Sequence, residues 1–306
     1  MGTLLTELRK LTLGTKEVGL FKHIFKEDPL LGALPTKRIS SDPYYYQREK
    51  TRPPVGPVGS EGEFIEGTPE FDELSVKLKR FGGQVPYDDL DINATADGDP
   101  RSSITEQLAM ATIEEVSRLL IYGDESTNAL HWNGLRKLST LIPATQKYQI
   151  ADATTNVLAL RDFWKAETLL RAGKAGAFYM GPTAFIPTIK DKLGTNTAAA
   201  EKMLPNFGRP VLHIGPYPYF PNDHLLITEN GTDSAAGTFG SIYLVGAGPQ
   251  AFMAVIPNSG DKAARVQTIG PREKKGGSIV RAEIQMGFAL HSAYGMVRMT
   301  GIDPAK

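Results

Sequence analysis

Every second residue from Val280 to Leu290 is apolar: Val280, Ala282, Ile284, Met286, Phe288 and Leu290. Arg281, Glu283, Gln285 and His291 take the opposite side. A two-residue period sends alternate side chains to opposite faces of an extended chain. The segment therefore predicts one long strand with one face buried, entered through the charged turn Pro-Arg-Glu-Lys-Lys-Gly-Gly at 271–277. Such a strand needs neighbours on its edges and a second layer over its apolar face, so the chain must build a layered core around it.

A chain of 306 residues is long enough for one large domain or two. Lysine plus arginine and aspartate plus glutamate each number 34, so no net positive charge marks a dedicated nucleic-acid binder. There is no cysteine, which excludes disulfides, thiolate chemistry and cysteine–zinc sites and fits a reducing compartment. No apolar run approaches the roughly 18 residues of a membrane helix. Glycine and proline concentrate at 52–69, 181–187, 205–221 and 246–277, which reads as turns and long connections in a strand-rich protein.

Residues 3–25 carry apolar residues at loose helical spacing, followed by an extended arm through Pro29, Pro35 and Pro43. From Phe71 to Phe81, Leu74, Val76 and Leu78 alternate with Lys77 and Lys79, which predicts a half-exposed strand within a long two-stranded projection over 52–90. An isolated hairpin is marginal in water, so this one needs a partner surface. The best helix spans 100–122, with Pro100 at its start and a capping-box pattern at Ser103-Ile104-Thr105-Glu106. Gly123 is placed to end it at φ > 0. A second helix is expected over 158–172 and a third from Thr183, with short strands at 177–181, 210–215, 224–228, 241–246 and 251–257. Helices and strands mix without a βαβ rhythm, so the fold class is α+β.

No catalytic set emerges. Residues 89–100 begin like a calcium loop, but Ala94 stands where glycine is needed and Pro100 where glutamate is needed. Ser259-Gly260-Asp261-Lys262 lacks the partners of a serine acylase, and Gly-Ala-Gly-Pro-Gln-Ala at 246–251 lacks the third glycine of a dinucleotide loop. His213 and His224 flank a proline-rich loop beside Asp223 and could serve a soluble hydrolase if they met in space. No catalytic, cofactor or metal residue is assigned.

The order of parts carries a resemblance. An arm, a long hairpin, a long helix ending in Gly123-Asp124, a polar loop at 125–131, and the turn Asn133-Gly134-Leu135 precede a mixed region and a long last strand. This resembles the major capsid proteins of tailed bacteriophages, the Hong Kong 97-type fold. The resemblance implies an N-terminal helix and arm at 1–51, an extended hairpin at 52–90, a peripheral domain at 91–150 and 255–306 holding a spine helix at 100–122, and an axial domain at 151–254. It implies a shell protein rather than an enzyme, without cofactor. Its partners would be copies of itself in pentamers and hexamers, a separate scaffolding protein, a portal, decoration proteins and, non-specifically, packaged double-stranded DNA, with no membrane. Its place would be the virion capsid, assembled in the host cytoplasm. Inter-subunit contacts would fall on Phe64, Ile65, Phe71, Leu74, Val76, Leu78, Lys77 and Lys79, with hinges or turns at Gly82, Gly83, Gly123 and Gly134. Some members join a hairpin lysine to a neighbour's asparagine; no such cross-link is expected here. An encapsulin, a shell that stores enzymes, has the same fold and is the alternative.

Overall fold

The computed structural model describes residues 34–51, 53–58, 62–87, 100–150, 158–194, 199–203, 210–227, 240–258, 264–269 and 277–303. The expected N-terminal helix, the calcium-like loop and the Ser-Gly-Asp-Lys turn lie outside them, as do the side chains of the expected capping box.

The long strand forms as its period demands. It is β13, Ser278–Leu290, and it organises a five-stranded sheet. It pairs antiparallel with β11 (Phe252–Pro257), β12 (Ala264–Ile269) and β4 (Lys79–Tyr87), the last two on opposite edges because both are in register with 279–284. A short strand, β1 (Thr36–Ile39), extends the sheet parallel to β11. Helix α1, Pro100–Tyr122, lies across β13 and β4. Its Ile113, Val116, Leu119 and Leu120 meet the apolar face of β13 in one buried core. The opposite face is not left to solvent. Ala289 packs there with Ile39, Met253 and Val255.

The second sheet has seven strands in the order β5-β14-β10-β6-β9-β8-β7. These are β5 (Lys147–Gln149), β6 (Phe178–Pro182), β7 (Ala199–Met203), β8 (Pro210–Ile214), β9 (Tyr217–Asn222), β10 (Gly240–Val245) and β14 (Met296–Ile302). Its central strands read as unbroken apolar runs because both faces are covered. Phe178, Met180, Tyr243 and Val245 face the first core, while Tyr179, Ile242 and Leu244 face a second. That second core is closed by α3 (Leu160–Leu169) through Phe163 and Ala166, and by α4 (Phe185–Gly194) through Phe185 and Ile189. Asp162 accepts from the Ala159 amide at 3.0 Å and fixes the start of α3, and Gly173, at φ 72°, takes the left-handed turn that follows its end. Helix α3 is thus shorter than the expected 158–172. Pro187 sits in the first turn of α4, where its missing N–H costs nothing.

Three expectations are corrected. Residues 224–227 turn instead of forming a strand, and the strand lies earlier, in the proline-rich stretch. Pro218 and Pro221 stand in register opposite His213 and Gly181, where each lacks an N–H to donate but keeps a carbonyl that can accept. The two-stranded ribbon is not built from 52–90. Tyr44–Thr51, strand β2, pairs with Glu70–Val76, strand β3, and the connection 52–69 forms its tip. The alternation that runs from Phe71 to Phe81 breaks at Lys77-Leu78, after which the chain enters the five-stranded sheet as β4. The stretch read as an arm through Pro35 and Pro43 is therefore bound into the body by β1 and into the ribbon by β2. Finally, β14 joins the second sheet beside β10 and does not extend the first.

Candidate subunit-contact site

The ribbon exposes what a folded chain normally hides. Val55 is 90% exposed, Phe64 82%, Phe71 57% and Ile65 55%. Isolated apolar residues at a surface are ordinary, but four on one projection make a candidate contact surface. Phe64, Ile65 and Phe71 are among the expected contacts; Val55 and Tyr45, 59% exposed, were not singled out. The signal for Tyr45 is the run Tyr44-Tyr45-Tyr46, in which Tyr44 and Tyr46 turn inward and Tyr45 outward, as a strand requires.

The other expected contact residues serve the body. Val76 and Leu78 pack against Ile39, Met253, Val255 and Ala289 at the ribbon's root, and Leu74 is half-buried on β3. Lys77 is exposed. Lys79 is held: its Nζ donates to Glu125 Oε1 at 2.8 Å and to the Ala129 carbonyl at 2.6 Å. Gly82 and Gly83 are not hinges. They lie inside β4, in register with Glu283 and Ala282. A Cβ at Gly82 would sit 2.1 Å from the Ala282 carbonyl oxygen, so its glycine permits close strand approach.

At the ribbon's root, rings and cations interlock. The Tyr46 ring lies 4.5 Å from the His291 ring, tilted 40° to it, and the Tyr44 hydroxyl lies 3.0 Å from His291 Nε2. That hydroxyl also accepts from Lys37 Nζ at 2.7 Å, and with one proton and two lone pairs it pairs with either tautomer of His291. Burial lowers the His291 pKa; the neighbouring Ala251 carbonyl partly offsets this, and Lys37 adds to it. Nδ1 is buried without a partner at hydrogen-bonding geometry. Arg48, on β2, reaches Asp72 across the ribbon at 3.6 Å with its side chain only 11% exposed.

The turn after α1 joins this region to the core. Gly123 N–H closes the helix on the Leu119 carbonyl at 2.8 Å, and Gly134 N–H returns to the Gly123 carbonyl at 2.8 Å. Neither glycine is left-handed; Gly134 has φ −77°. Both are required by proximity. A Cβ on Gly123 would lie 2.4 Å from the Trp132 carbonyl oxygen, and one on Gly134 2.7 Å from the carbonyl oxygens of Leu119 and Ile121. Trp132 donates from Nε1 to the Leu119 carbonyl at 3.1 Å, and its ring stands between Phe81 and Phe288. Asp124 accepts from the Ser126 amide and hydroxyl and from Lys137. Burial alone would raise its pKa, but those donors hold it below the usual range.

The hydrolase candidates do not join. His213 is buried in β8 and its Nδ1 donates to the Val211 carbonyl at 2.9 Å. Asp223 and His224 lie in the turn after β9, with no hydrogen bond from either side chain to His213. Among the described residues no three of His, Asp and Glu converge as a metal site would need, and no helix is long and apolar enough to cross a membrane.

No protein-family profile and no curated protein sequence matches the chain. Solved structures do. The holo-SrpI encapsulin complex from Synechococcus elongatus is 13% identical, with a TM-score of 0.66 over 98% of this chain and 96% of that one. The capsid of an empty GTA particle is 15% identical, with a TM-score of 0.57 over 90% and 89%. A structure from Mycobacterium phage Bobi is 11% identical, with a TM-score of 0.56 over 89% of each. A single architecture that spans nearly the whole chain and recurs in encapsulin, GTA and phage particles identifies the fold: the chain has the Hong Kong 97-type, phage major capsid-like fold.

Proposed function

We propose that the chain is a shell-forming structural protein, the major capsid protein of a tailed bacteriophage, and that it acts without catalysis. Many copies close into an icosahedral wall of pentamers and hexamers around double-stranded DNA. One observation carries this reading: the ribbon tip that leaves Val55 and Phe64 almost wholly exposed, on a fold shared with capsids and an encapsulin. A surface of that kind has no use in a solitary chain and is covered when copies meet. Equal numbers of acidic and basic residues suit a wall that must not clamp its contents tightly. Scaffolding, portal and decoration proteins complete the assembly in this reading, which places the chain in the virion, built in the host cytoplasm.

The second reading is an encapsulin. The Synechococcus elongatus shell gives the TM-score of 0.66, above the 0.57 and 0.56 of the GTA and phage structures. Negative-stain electron microscopy of the purified protein tests the shared part of both readings. Closed particles of uniform size are expected, and a particle-free solution at the mass of one chain overturns them. Nuclease-protected DNA inside the particles supports the capsid; a co-purifying enzyme supports the encapsulin.

A further inference from the structure

A cavity of about 280 Å³ lies between the ribbon and the body. The ribbon contributes Arg48; the body contributes Arg171, Gln250, His291 and Tyr294. Arg48 spends one guanidinium nitrogen, Nη2, on Asp72, while its Nη1 is buried with no hydrogen-bond partner. Arg171 lies over the Tyr294 ring at 5.2 Å, on the exposed side of the cavity. His291 Nδ1 is a second buried nitrogen without a partner. A buried cationic donor left unmade is costly, which is why such groups are normally satisfied. Two arginines lining one space, one of them with a buried nitrogen left unpaired, call for an anion with two acceptor oxygens, and a carboxylate meets a guanidinium in that bidentate manner.

The chain carries the matching group. Between residues 53 and 76 there is no lysine or arginine, and there are six carboxylates: Glu61, Glu63, Glu66, Glu70, Asp72 and Glu73. Glu63 and Glu66 flank the exposed Phe64 and Ile65 and are themselves exposed. They are not on the cavity of their own chain, because β2 runs from its root at Tyr44, past Arg48, to Thr51, and the tip lies beyond. We infer that this cavity receives a tip carboxylate, Glu63 or Glu66, from the ribbon of a second copy, whose Phe64 and Ile65 cover the apolar rim. The inference rests on the shell reading above and adds its lock. An occupant bonded to Arg48 on the ribbon and Arg171 on the body fixes the angle between them. Each docked tip therefore sets the ribbon of the copy that receives it, and so passes order along the wall.

Charge exchange tests this. Arg171→Glu cuts the yield of closed particles about tenfold, the scale of losing one charge pair at an interface, while the melting temperature of the unassembled subunit stays put. The double variant Glu63→Arg/Glu66→Arg has the same effect, and combining all three substitutions restores particles. Wild-type yield from Arg171→Glu, or a triple variant no better than its parents, overturns the inference and leaves the shell reading standing. A wild-type protein that remains a single chain overturns both. Because the chain has no cysteine, Ile65→Cys with Gln250→Cys gives an independent readout: a disulfide-linked ladder on a non-reducing gel is expected, and monomer alone counts against docking. Stabilisation by inorganic phosphate together with a failed charge exchange would assign the cavity to a free anion instead.

Discussion

Gly134 shows how little room the turn after α1 allows. A methyl group there meets the backbone of Leu119, Ile121 and Gly123 at 2.7–2.8 Å, and backbone cannot swing aside as a flexible side chain can. Gly134→Ala is expected to destabilise the subunit by about 1–3 kcal/mol, the usual cost of forcing extra volume into a packed site. Urea unfolding of an assembly-deficient background measures it, and an unchanged midpoint contradicts the close-approach account. Two carboxylates respond to pH in opposite senses. Asp124 has a lowered pKa in the folded chain, so its contribution is present above the unfolded value and is lost as pH falls through the folded one. Asp124→Asn should therefore lower stability at neutral pH and matter less in acid. Glu167, beside the Tyr179 hydroxyl at 3.1 Å, has a pKa raised by burial, which outweighs that hydrogen bond and the field of Lys174. A raised carboxyl pKa favours folding below the unfolded value and erodes it as pH rises through the folded value. Glu167→Gln should raise the melting temperature at neutral pH, with the gain shrinking in acid. A gain that persists unchanged at low pH would show that ionisation is not its cause.

Among the elements, β13 and α1 were legible because each carries a long, unbroken period: six alternating apolar residues in one, a broad apolar face in the other. The short central strands of the second sheet were found as apolar runs, for both of their faces are buried. What local pattern could not supply was pairing. Residues 71–81 alternate as one strand, yet Val76 and Leu78 are drawn into the root core, and the chain changes sheet between them and Lys79. Tyr217–Asn222 was missed because two prolines argue against a strand, and tertiary pairing with β6 overrode that preference. Arg48 gave no signal at all; its role depends on Arg171 and His291, far away in sequence. The ribbon itself yields a prediction. The described residues of the tip take no part in the cores, so replacing 53–69 by Asn-Gly, a two-residue turn suited to a hairpin, should leave the subunit folded. Circular dichroism and the melting temperature of the free subunit should be nearly those of the full chain. Electron microscopy should show no closed particles. Normal particles from the truncated chain would place the essential contacts elsewhere.

At the scale of the whole molecule, the question is what holds many copies together. Lysine chemistry is poorly placed to do so. Lys79 has its ammonium engaged by Glu125 and the Ala129 carbonyl and is only 14% exposed, so its nitrogen is neither free nor presented outward. With no cysteine in the chain, covalent closure through disulfides is excluded as well. In the proposed shell, cohesion would then come from repeated non-covalent contacts, each modest, which together make loss of any one copy unfavourable. Such a wall has a distinct signature. Association stabilises the folded state by mass action, so particles should melt at a higher temperature than the ribbon-truncated subunit, and the difference should shrink on dilution. Boiling in denaturant should return every copy to a single band at the mass of one chain. A ladder of covalent multimers would mean that another lysine, Lys77 first among them because it is exposed, forms a bond between copies.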